Sequence, residues 1–218
     1  MNEIPTVEPG ELLSAEKVNA LLGAAKICFN TKAKSPVELV KADAGWVIGG
    51  GKEWVSIFYD DFNTENGGAV SGNYDAFLNW EVYLNFVDLA NSLTIPGADG
   101  LFVDMVGTTG STVPEGTGFI GGVRTIETWL TRGRYRLSWR MSGSQRGANS
   151  DVTVSLGTAF NQVFSLASAD PWADYTFTFT VTAATGGKIQ FHCRTTNQNP
   201  STIDRGAGID NVRLERFQ

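Results

Sequence analysis

An all-β fold, a jelly-roll β-sandwich of eight or nine strands, follows from three observations on this 218-residue sequence. Between residues 135 and 141 the large apolar side chains Tyr135, Leu137, Trp139 and Met141 alternate with Arg136, Ser138 and Arg140, the period of a half-buried strand. Val152, Val154 and Leu156 alternate in the same way with Thr153 and Ser155. The 25 Gly and 7 Pro are spread among short apolar runs rich in Thr and Ser, a texture of strands and turns rather than helices. The stretch 133–157 organises the rest: it reads as two strands joined by a polar loop, whose apolar faces require an opposing sheet.

Taken in order, residues 1–10 are extended, with Pro5 and Pro9 interrupting any regular element. Ser14 then caps a short helix over 14–26, with Glu16 well placed in its first turn. Val18, Leu21, Leu22 and Ala25 form one apolar stripe on it. Three turns of helix are marginal alone, so the stripe must dock, either on its own chain or on a neighbouring subunit. Residues 27–58 hold only short apolar runs around Trp46 and Trp54 and read as an extended arm with a few strands. The expected division is therefore an N-terminal arm, 1–57, and a sandwich, 58–218. Strands are expected at 54–62, 80–87, 100–106, 124–130, 133–141, 151–156, 175–182, 188–194 and 209–217.

Charge narrows the partners. A formal charge of -6 speaks against nucleic acid, which calls for a basic stripe. No run approaches the ~20 apolar residues of a membrane helix, and residues 1–10 lack the basic and apolar regions of a secretory signal, so synthesis in a cytoplasm is expected. Every Lys but Lys188 precedes residue 116 and every Arg follows it, while most carboxylates lie in the first half. The acidic front and the Arg-rich back either pair between subunits or are both solvated. Arg132, Arg134, Arg136 and Arg140 are the residues placed to make such a contact. Cys28 and Cys193 stand at no zinc or redox spacing and read as packed thiols.

Two resemblances follow. The order Asp60-Asp61-Phe62-Asn63-x-Glu65, Asn79-Trp80, Gly100-Leu101-Phe102-Val103-Asp104, Gly133-x-Tyr135-x-Leu137 and the closing Gly208-Ile209-Asp210-Asn211-Val212-x-Leu214 resembles the galactose-binding-like jelly rolls of carbohydrate-binding modules, over about residues 58–216. The phrase Pro9-Gly10-Glu11-Leu12-Leu13-Ser14-Ala15-Glu16-Lys17-Val18-Asn19-Ala20-Leu21-Leu22 resembles the N-terminal attachment segments of tailed-phage virion proteins. Together they imply a virion surface protein of the capsid decoration or head-fibre type, assembled in the host cytoplasm. Its expected partners are the major capsid protein or other virion proteins and further copies of itself, as a homotrimer. A tail protein recognising host polysaccharide and a bacterial carbohydrate-binding module are the alternatives.

The resemblance also implies a structural calcium ion held by Asp60 or Asp61, Glu65 and Asp210, hard oxygen ligands that suit it. A cell-surface glycan would need an aromatic platform with polar groups around it, for which Trp80, Trp129 and Trp172 are the candidates. Catalysis is not expected. The single His, His192, shares a strand's polar face with Gln190 and Arg194, without a nucleophile motif. Asp60 and Asp61 are adjacent on a strand and point to opposite faces, the wrong arrangement for a glycosidase pair.

Overall fold

A computed structural model describes residues 37–42, 45–50, 53–107, 120–126, 128–195 and 205–218, with backbone alone at 37–42, 45–50 and 129. The chain divides into two compact units, Met1–Glu53 and Trp54–Gln218. In the first, β1 (Val37–Ala42) and β2 (Gly45–Gly50) form an antiparallel hairpin. The helix expected at 14–26, with Val18, Leu21 and Leu22, lies outside the described residues, as does Cys28.

The second unit is a jelly-roll β-sandwich. Its strands in chain order are β3 (Trp54–Asp60), β4 (Trp80–Leu84), β5 (Asp88–Asn91), β6 (Leu101–Asp104), β7 (Ile120–Thr125), β8 (Thr128–Leu130) and β9 (Gly133–Ser142). They continue as β10 (Ser150–Leu156), β11 (Phe160–Leu166), β12 (Ala173–Val181), β13 (Thr185–Gly187), β14 (Ile189–Thr195) and β15 (Gly208–Phe217). One sheet runs β11-β10-β14-β7-β4; the other runs β12-β9-β15-β6-β5, with β3 also paired to β15. β8 and β13 make a separate short pair.

The alternation at 133–157 sets this arrangement, with one difference from the simplest expectation. β9 and β10 are not partners but belong to opposite sheets, so their apolar faces meet across the core. Tyr135, Leu137, Trp139 and Met141 from β9 and Val152, Val154 and Leu156 from β10 are all at most 1% exposed. Trp139 centres an aromatic pile: it stacks on Tyr175 and Phe177 at 5.8 and 5.7 Å and takes edge contacts from Phe160, Phe164 and Phe191. Such pairs add roughly 0.5–1.5 kcal/mol each beyond area burial. At Gly121 on β7 the backbone just after β6 comes so close that a Cβ would lie 1.7 Å from the Met105 carbonyl oxygen, so only glycine fits.

Single-residue details also depart from the expected spans. The run 124–130 breaks at Ile126, which is exposed, into β7 and β8 in different sheets. β5, β11 and β13 fall outside the expected spans. Cys193 is a buried free thiol, and burial pushes it up to about 11.

Candidate functional site

The polar side of β9 becomes the outer face of the second sheet. Across it, Ser138 stands opposite Thr176 on β12 and Arg213 on β15; Arg136 stands opposite Thr178 and Glu215; Arg140 stands opposite Asp174 and Asp210. β3 completes the face, with Tyr59 opposite Arg213 and Trp54 opposite Phe217. An open groove of about 390 Å³ runs over these strands, lined by Tyr59, Arg136, Ser138, Arg140, Asp174, Thr176, Asn211, Arg213 and Glu215 among others.

Two irregularities shape the groove. Between Asp210 and Arg213 the pairing with β9 shifts register, and Asn211 there has φ +52°, a left-handed conformation that Asn tolerates better than most residues. The Asn211 Oδ1 accepts the Tyr59 hydroxyl at 2.8 Å, which fixes that ring at the rim. A second shift between Leu214 and Glu215 leaves Ile57 without a partner on β15. Tyr59 is 45% exposed and presents its ring to the groove side.

Guanidinium groups lie over aromatic rings along the whole face. Arg213 sits 4.6 Å above Tyr59, Arg136 4.6 Å above Trp54 and Arg140 5.4 Å above Trp172. Arg134 stands 5.7 Å from Trp54 and 5.8 Å from Phe217. Arg136 also holds Glu215 at 2.6 Å, and Arg140 reaches Asp174 at 3.5 Å. The like charges of β9 are thus partly neutralised by carboxylates of the same sheet and partly spread over π faces. Arg132 is exposed beyond the groove, its carbonyl accepting the Arg216 Nη2 at 3.2 Å.

The expected aromatic platforms fare differently. Trp80 is 4% exposed, packs on Phe58, Phe62 and Phe191, and donates its indole N–H to Asp60 Oδ2 at 3.0 Å; it faces the core. The Trp129 side chain lies outside the described residues. Trp172 is half-buried beside Phe102, and its ring supports Arg140 at one end of the face.

The carboxylates expected around calcium are each engaged by protein donors. Asp60 accepts from Phe62 N, Asn79 Nδ2 and Trp80 Nε1. Asp61 accepts from Asn63 N, Glu65 from Leu78 N and the Tyr74 hydroxyl, and Asp210 from both nitrogens of Asn211. Among the described residues no group of three or more His, Cys, Asp or Glu gathers to hold a metal ion. His192 lies on the other sheet, opposite Thr153 and Gly122, neither of which is a carboxylate that could orient it as a base. Burial, with Arg194 adding to it, holds its pKa below the usual value.

Tyr59, Arg213 and Glu215 stand out nowhere in the sequence. Their signal exists only in register, because strands far apart in the chain bring them together. No helix among the described residues is long and apolar enough to cross a membrane.

No family model matches the sequence, and no curated protein matches it. Similar strand arrangements occur in solved structures. The enzymatically active domain of bacteriophage CBA120 tailspike protein 4 matches 67% of this chain and 20% of its own, at 13% identity and TM-score 0.44. The carbohydrate-binding module TmCBM61, in complex with β-1,4-galactotriose, matches over 72% of this chain and 94% of its own, at 16% identity and TM-score 0.39. The module CBM6cm-2 from Cellvibrio mixtus lichenase 5A, in complex with cellotriose, matches over 69% and 98%, at 12% identity and TM-score 0.33. This chain thus corresponds to a fifth of the tailspike chain. At these identities and scores the likeness is one of strand arrangement.

Proposed function

We propose that this is a non-enzymatic virion protein whose sandwich recognises a polysaccharide along the face of β12, β9, β15 and β3. The groove carries the proposal. It joins an exposed phenol ring, held in place by Asn211, to hydroxyl, amide, guanidinium and carboxylate groups on neighbouring strands. A sugar's apolar face stacks on such a ring while its hydroxyls bond the polar groups around it. Groove length favours a chain over a single sugar, because Arg136 and Arg140 alone are four strand residues apart, roughly 13 Å.

The virion setting is supported by the phrase at residues 9–22. In this reading that segment docks Val18, Leu21 and Leu22 on the major capsid protein or sister chains, in a homotrimer on the head, and the sandwich projects outward. A position at the tail tip turns the same groove into a host-receptor site.

Affinity electrophoresis against a panel of bacterial surface polysaccharides tests the glycan part. The wild type is expected to be retarded, and Tyr59→Ala to bind about tenfold more weakly through loss of stacking. No retardation by any polysaccharide, or equal retardation of the variant, overturns it. The attachment part is tested on purified particles: the triple variant Val18→Ala, Leu21→Ala, Leu22→Ala should leave the particle while still binding sugar.

A further inference from the structure

We infer, on the footing that this face binds glycan, that its ligand is an acidic polysaccharide, with sugar carboxylates taken by Arg213 and Arg140. The face carries Arg134, Arg136, Arg140 and Arg213 against Asp174, Glu215 and the buried Asp210, a net cationic surface on a chain of net charge -6. A field of that sign concentrates anionic ligands.

The four cations are not equivalent. Arg136 is closed off, since its partner Glu215 lies at 2.6 Å with a side chain only 8% exposed. Arg213 has no carboxylate in salt-bridge contact among the described residues and instead sits over the Tyr59 ring, 4.6 Å from its centroid. Tyr59 engages its guanidinium through the ring and the hydroxyl, and of its five N–H donors none is taken by a carboxylate, which leaves donors for a ligand carboxylate that Arg can grip with two parallel bonds. Arg140 is held loosely, because Asp174 stands off at 3.5 Å and its side chain is 85% exposed. Asp210, opposite Arg140 in register, feels its charge but makes no ion pair with it and gives its oxygens to Asn211.

Asp174 therefore occupies Arg140 as a displaceable stand-in for a ligand anion. A neutral sugar laid over this face would cover Arg213 without compensating its charge, whereas a uronate would neutralise it while stacking on Tyr59. Removing the stand-in should strengthen binding, an effect that a purely structural Asp174 would not produce.

The test uses the full chain and three polyuronates, polygalacturonate, alginate and hyaluronate, each beside its methyl ester, in which the same backbone has lost its charge. At least one acid should bind about tenfold or more better than its ester, and the preference should shrink as salt rises. Arg213→Gln should reduce that preference about tenfold, and Asp174→Asn should raise affinity for the acid. Arg132→Gln, outside the groove, should change neither, and thermal melts confirm that each variant is folded. Binding of esters or other neutral polysaccharides without a preference for acids overturns the inference and leaves glycan recognition standing. Acid binding lowered as much by Arg132→Gln as by Arg213→Gln is unspecific attraction and also overturns it. Binding to no polysaccharide removes both.

Discussion

Asp210 has no solvent exposure, at the point where β15 slips against β9, and burial pushes its carboxyl up to about 7. The Asn211 N–H and the Arg140 guanidinium pull it down, while Asp61 and Asp99 add to the rise. Because the folded value lies above the unfolded one, its contribution to stability is fully present below about pH 4 and is lost as pH climbs to about 7. Asp104, at the end of β6, shares this direction: burial holds it at about 7 although Arg146 pairs with it and Gly206 N and Val106 N donate to it. The wild type should therefore melt at a lower temperature at pH 8 than at pH 5. Asp210→Asn should narrow that difference without abolishing it, since Asp104 remains. Scanning calorimetry at the two pH values decides, and an unchanged difference in the variant would show that Asp210 does not report on folding.

At the scale of the strand, the sequence was most legible where one face is buried and the other wet. β9, β10, β14 and β15 alternate with period two, and their expected spans fall within a residue or so of the observed ones. β11 was missed although Phe160, Phe164 and Leu166 alternate, because Gln162 interrupts the apolar set and the strand sits at a sheet edge. β5, four residues long, carries too little pattern to stand out. Partnership was the harder question: nothing in 133–157 distinguishes a hairpin from two strands that cross the core, because either hides the same side chains. The site shared that limit. Its β9 arginines were visible as one face of a strand, but Tyr59 and Arg213 are separated by over 150 positions and became neighbours only through the pairing of β3 with β15. Trp80 misled because a Trp at a strand start looks alike whether it plugs the core or meets solvent.

For the molecule as a whole, β3 marks where the sandwich begins. It contributes Trp54 against Phe217, Phe58 against Trp80, and the Asp60 carboxylate that ties Phe62, Asn79 and Trp80 together. A fragment spanning residues 54–218 should therefore unfold in one cooperative transition and keep the glycan binding proposed for the full chain. A fragment starting at Asp61 loses that packing and Tyr59 with it, at a cost on the order of 5 kcal/mol. Urea titration of the two distinguishes these outcomes, and equal midpoints would mean that β3 is dispensable.

The position of β15 has a consequence for how the protein is made. It is the last strand of the sandwich in the chain, yet β9, β6 and β3 all pair with it. On a ribosome adding ~5–20 residues per second, those three strands wait with open edges until residues 208–217 have emerged. The sheet that carries the groove then closes in one late step, after chain segments made far earlier have been brought together, a topology that folds slowly. During that interval the nascent chain, rather than the folded protein, is the form most exposed to aggregation and most in need of a chaperone.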